Sequence, residues 1–219
     1  MYVKICGIRR REDALIAAEL GADAIGLLVG QRHNSRDFIS ATVAKDIARA
    51  LPPSVEAVLV THVEEIDELE RLLQQSEITT VQLHSEIAPS SVERLLGRLP
   101  YLKIFKSINV ISAESVAYPE AFAKLVDGFV LDSINLATDQ VGGTGKTHDW
   151  SVSRQIVIRY PDIPMSLAGG LNSENVRSAI EQVHPFGVDV NSGTKAPDGF
   201  KDPRRMEAFI VEAKHEQGS

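Results

Sequence analysis

"PMSLAGGLNSENVRSAIEQV", residues 164–183, reads as one strand, one turn and one helix. Residues 164–169 form a short, mostly apolar run, as a strand buried on both faces should. Gly169 and Gly170 break it. Val176, Ala179, Ile180 and Val183 then recur at helical spacing among polar neighbours, with Asn172 or Ser173 placed to start the helix and Ser173 a candidate N-cap. The fold follows from how often such a unit recurs.

It recurs along the whole chain. Apolar, β-branched runs occupy residues 2–6, 24–29, 55–61, 79–84, 101–107, 127–132, 164–169 and 187–190. Helical stripes lie between them. Ile66, Leu69, Leu72 and Leu73 make one, and Met206, Phe209, Ile210 and Ala213 make the last. Ser40 is a candidate N-cap, and Gly21 sits where a glycine ends a helix. Eight strand–helix alternations predict a parallel sheet. An open doubly wound sheet is one form of it. Eight repeats in 219 residues favour a single α/β domain, residues 1–219, closed as a (β/α)8 TIM barrel. No composition shift or Pro/Ser-rich linker divides the chain.

Composition narrows the partners. The chain is 43% hydrophobic and 24% charged, with net charge −7. That acidity disfavours nucleic acid and anionic membranes as partners. No apolar run approaches a membrane span, and the start, "MYVKICGI", lacks a secretory apolar stretch. The single cysteine, Cys6, forms no intrachain disulfide, which fits a cytoplasmic protein. The six histidines show no metal-ligand spacing, so no metal site is expected.

In a barrel of this kind, active groups gather at the C-terminal strand ends. Cys6 ends the first strand. It is either an inert buried thiol or, as a thiolate, a base or nucleophile. Asp132 ends the sixth strand after uncharged residues. It is either a cap or a partly desolvated carboxyl able to donate a proton near neutral pH. Gly169 and Gly170 offer an anion site at a helix start, and "NSGTK", with Asn191, Ser192 and Gly193, offers a second set after the eighth strand. Arg36, after the second strand, is placed to hold a carboxylate; Arg32 and His33 are rivals. His84, at a strand end, is a candidate pocket residue.

"VGGTGKTHDW", residues 141–150, imitates a nucleotide-binding loop but fails its spacing. The first glycine of that motif would fall on Gln140, and no strand runs directly into the loop. A loop this long inside a compact domain often acts as a lid or binding loop.

The order of "VKICGI", "GADAIGLL", "VQLHS", "VLDS…GGTGKTHDW", "LAGGLNSENV" and "GVDVNSG…KD" resembles the phosphoribosylanthranilate isomerase family of tryptophan biosynthesis over nearly the whole chain. The resemblance implies a cofactor-free (β/α)8 isomerase in the cytoplasm, a monomer or homodimer, acting on a small phosphorylated substrate. The implied reaction is the Amadori rearrangement of N-(5′-phosphoribosyl)anthranilate. It implies Asp132 as general acid, Cys6 as general base and Arg36 as the carboxylate grip. Gly169, Gly170, Ser192 and Gly193 would hold the phosphate. Gly142 and Gly143 would border the site, with Lys146 and Thr147 settling their loop.

Three stretches depart from the family pattern. Asn34 stands two before Arg36, and "RDFIS" is one residue longer, which would allow Arg36 to swing outward and leave Arg32 or His33 facing the pocket. Ser85 follows "QLH". Asn191 and Lys195 stand where the family has Ser and Glu. Altered specificity for another phosphorylated amino sugar, or sugar-phosphate binding without turnover, are the alternative readings.

Overall fold

A computed structural model describes residues 1–30, 35–135, 140–141 and 147–215. Eight parallel strands close into a barrel: β1 (Tyr2–Cys6), β2 (Ala24–Leu28), β3 (Glu56–Thr61), β4 (Thr80–Leu83), β5 (Lys103–Asn109), β6 (Gly128–Asp132), β7 (Met165–Leu167) and β8 (Gly187–Val190). Each pairs with its chain neighbour, and β8 closes the ring on β1 through Tyr2↔Gly187 to Ile5↔Val190. Helices α1 (Arg11–Glu19), α2 (Ala41–Ala48), α3 (Ile66–Ser76), α4 (Pro89–Arg98), α5 (Trp150–Arg159), α6 (Val176–Val183) and α7 (Pro203–Lys214) return the chain between strands or close it. A two-residue strand pair, Ile134–Asn135 with Gln140–Val141, follows β6.

The expected eighth α-helix is missing after β5, where a 3-10 helix, Ala113–Ala121, takes its place. Pro119 lies inside it. Proline lacks the N–H an α-helix needs and disfavours the α-conformation of the residue before it, so the segment stays in tighter turns. The start of α6 also differs from expectation. It begins at Val176, and Ser173 is not its cap. The Asn172 side chain accepts from the N–H groups of Glu174 and Asn175 at 2.8 and 3.2 Å, holding a turn ahead of the helix. Ser40 does cap α2, accepting from Val43 N–H at 3.2 Å, and Gly21 follows α1 with φ +96°.

Period-two alternation divides each strand between two environments. Val3, Ile5, Ile25, Leu27, Leu83, Phe129 and Val188 face outward into one continuous core with the helices. The predicted helical stripes meet them there: Ile66, Leu69, Leu72 and Leu73 are buried, as are Met206, Phe209, Ile210 and Ala213. The alternate residues point into the barrel, and several are polar. Lys4 and Asp189 form an ion pair at 2.8 Å with 5% and 6% of their side chains exposed. Within the described residues, no helix is long and apolar enough to cross a membrane.

Candidate active site

The cavity opens at the C-terminal ends of the strands. Cys6, Asp132, His84, Gly169, Gly170, Asn191 and Ser192 all line it, so β1, β4, β6, β7 and β8 deliver sequence-predicted residues to one place.

Cys6 is the last residue of β1 and packs beside Ala24, Val58 and Val60. Its register partner is Gly26. A Cβ at Gly26 would stand 2.7 Å from the Cys6 sulfur, so that glycine leaves the thiol its space. Burial pushes the thiol up to about 12; Lys4 and Lys201 pull against it, while Asp189 and Asp37 push further up.

Asp132 ends β6. One carboxylate oxygen accepts Ser133 N–H at 2.7 Å, and the other lies 3.7 Å from His84 Nε2. Burial raises this carboxyl to about 7, with Ser133 N–H and Lys4 opposing and Asp189 adding to the rise. A carboxyl with that pKa is shared between its protonated and ionised forms at neutral pH and can give up or take back a proton there.

A chain of hydrogen bonds fixes the imidazole beside it. Lys4 Nζ can only donate, so the Gln82 atom it meets is the amide oxygen. Gln82 Nε2 therefore donates to Ser107 Oγ at 3.0 Å. Gln82 Nε2 also donates to His84 Nδ1 at 3.3 Å, and Ser107 Oγ lies 2.9 Å from the same nitrogen. The acceptor role at Nδ1 puts the ring proton on Nε2, the nitrogen facing Asp132. Lys4, Gln82, Ser107 and Asp189 are buried polar neighbours of the candidate site that its motifs do not include. Their signal is present: each is a polar residue in a buried strand, in phase with the site residue two positions on or opposite.

Backbone dominates the β7–β8 side. Gly169 and Gly170 have φ +81° and +67°, a conformation L side chains rarely adopt. Gly193 sits in a 3-10 turn, Ser192–Thr194, against the other loop; a Cβ there would fall 2.1 Å from Leu171 O. Beneath the turn, buried Lys201 donates to Asn191 O at 2.7 Å and to Thr194 Oγ1 at 3.0 Å. Asn191 itself is held, donating from Nδ2 to Asp37 at 3.0 Å.

The loop after β2 departs from expectation. Arg36 is exposed and does not line the cavity. Asp37, the next residue, does line it and is buried. Arg9 holds the loop by donating to Arg36 O at 3.0 Å and, from its other terminal nitrogen, to Gly199 O at 2.8 Å. Asp37 is held inward by accepting from Asn191 Nδ2 at 3.0 Å and from Lys195 Nζ at 2.5 Å. Arg32, His33, Gly142, Gly143 and Lys146 lie outside the described residues. Thr147 is exposed. Among the described residues, no group of three or more His, Cys, Asp or Glu is placed to hold a metal ion.

A sequence model of the family described as N-(5′-phosphoribosyl)anthranilate (PRA) isomerase matches residues 3–212. The N-(5′-phosphoribosyl)anthranilate isomerase 2 of Methanosarcina mazei is 45% identical over 216 residues, covering 99% of this chain and 95% of the relative. A crystal structure of monomers made from the dimeric enzyme of Thermotoga maritima superposes with a TM-score of 0.81 at 34% identity, covering 98% of each chain. A structure of such an isomerase in complex with reduced 1-(o-carboxyphenylamino)-1-deoxyribulose 5-phosphate superposes at 0.80 with 33% identity, again over 98% of each.

Proposed function

The chain belongs to the N-(5′-phosphoribosyl)anthranilate isomerase family, and from that premise we propose how its residues divide the reaction. The activity is the Amadori rearrangement of N-(5′-phosphoribosyl)anthranilate to 1-(2-carboxyphenylamino)-1-deoxyribulose 5-phosphate. Asp132 protonates the furanose ring oxygen. The ring C–O bond breaks, and the nitrogen lone pair forms the C1′=N bond of a protonated Schiff base. Cys6, as thiolate, removes the proton from C2′. Those electrons form C1′=C2′ and neutralise the nitrogen. Protonation at C1′ and loss of the C2′ hydroxyl proton then give the ketone.

The observation that carries this reading is the pairing of Asp132, with its carboxyl raised to about 7 by burial, and Cys6 on one cavity wall system. Buried Lys4, kept charged by Asp189, supplies positive charge that favours the thiolate. The phosphate sits against Gly169, Gly170, Ser192 and Gly193, where backbone rather than side chain faces the ligand. A cytoplasmic monomer or homodimer belongs to the same reading. Growth without tryptophan of a host lacking this isomerase, restored by this chain, tests the function; a catalytically silent or differently specific paralogue leaves the host unable to grow.

The protonation order gives a pH prediction. The active form needs the Asp132 proton on and the Cys6 proton off. With the carboxyl near 7 and the thiol near 12, that form gains population as pH rises to about 7 and holds level above it. A plot of kcat/KM should therefore climb to about pH 7 and then flatten. A rate falling as pH passes 7 would mean the thiol ionises before the carboxyl and would overturn the order.

The phosphate contact has its own test. Gly193→Ala forces the β7 and β8 loops apart, at a cost of about 1–3 kcal/mol in stability. It should also weaken competitive inhibition by inorganic phosphate. Unchanged inhibition would place the phosphate elsewhere.

A further inference from the structure

We propose that Lys195, held by Asp37, grips the carboxylate of the substrate's aryl group. This inference rests on the isomerase reading and assigns it a specificity residue.

Among the described residues lining the cavity, Lys195 is the one lysine or arginine. Arg36, the expected grip, is exposed and outside it. Lys195 Nζ donates to Asp37 Oδ2 at 2.5 Å, and the two side chains are 23% and 10% exposed. Asp37 is itself fixed by Asn191, so the ammonium is oriented before any ligand arrives. A lysine ammonium has three donors, and the contact with Asp37 uses one.

Position decides which anion it meets. Lys195 follows β8 and Asp37 follows β2, while β1, ending in Cys6, lies between those strands. The ion pair therefore bridges the mouth on the Cys6 side. The cavity's apolar wall, Leu28 and Val60 with the His62 ring, lies along β2 and β3. That wall suits an aromatic ring, and the glycine loops of β7 and β8 suit the phosphate at the other end. A carboxylate on the ring is then presented toward the β2 side, where Lys195 reaches.

Tight coupling to Asp37 gives the site selectivity. Asp37 repels a carboxylate that approaches it directly and leaves the ammonium's remaining donors as the attractive face.

The test uses Lys195→Met and Lys195→Gln, with thermal stability followed alongside. Turnover of N-(5′-phosphoribosyl)anthranilate is measured together with binding of two stable probes. These are the reduced product analogue and the same compound without its ring carboxylate. Both variants should raise KM by roughly 10- to 150-fold with kcat changed only a few-fold, because the carboxylate keeps its charge in the transition state. The carboxylate-free probe should bind wild type and variants alike, and Lys195→Arg should recover most of the loss. Equal losses for both probes would make Lys195 a phosphate contact or a structural residue, and overturn the proposal. So would an unchanged KM, or a carboxylate-dependent loss that appears in Arg36→Ala instead. Wild-type protein that turns over the substrate while Lys195→Met keeps its KM sinks this inference alone. Wild-type protein without turnover sinks the isomerase reading with it.

Discussion

Asp132→Asn is expected to lower kcat by roughly 10²-fold or more while KM stays near its wild-type value. Asparagine keeps the shape and the acceptor for Ser133 N–H, which Asp132 now meets at 2.7 Å, but has no proton to give the ring oxygen. A stability measurement separates this from misfolding. The folded carboxyl is raised from 3.8 to about 7, so between those values the unfolded chain releases a proton that the native state keeps. Native stability therefore falls as pH rises through that window. Asparagine removes this dependence, and the variant's melting temperature should decline less from pH 4 to pH 7 than the wild type's. A variant whose KM alone rises would make Asp132 a binding residue.

Cys6→Ser should be as severe, roughly 10²–10⁴-fold in kcat. A serine hydroxyl in the same buried position is far harder to ionise than the thiol. Its smaller oxygen still fits beside Gly26, where a Cβ would come within 2.7 Å of the present sulfur, so the barrel should survive the change. Melting temperature and turnover are measured on one preparation. Near-normal kcat in a folded Cys6→Ser protein rules the base out.

The barrel was legible because its strands are buried on both faces and so read as compact apolar runs. β1 and β8 match the sequence reading residue for residue. The places of Cys6 and Asp132 at the cavity were legible for a related reason: each ends such a run, where this fold places chemistry. The interior network was harder to see. Lys4 looks like a stray charge in "YVKIC" until period-two phase puts it on the same face as Cys6, and its partners Gln82, Ser107 and Asp189 come from distant strands. The loop after β2 was legible only as a departure. Asp37 rather than Arg36 faces the cavity, and which residue turns inward is decided by contacts with Asn191, Lys195 and Arg9 that no local pattern encodes. The segment after β5 departs from the strand–helix alternation because Pro119 keeps Ala113–Ala121 in 3-10 turns.

In the proposed reaction this cavity moves the double bond of an open-chain amino sugar by taking a proton from C2′. Nuclear magnetic resonance of N-(5′-phosphoribosyl)anthranilate incubated with the wild-type protein measures it directly. The expected result is a single product with a keto carbon at C2′, no hydrogen left on that carbon, and a new C1′ methylene. Substrate left unchanged, or a product that still carries hydrogen on C2′, would contradict it.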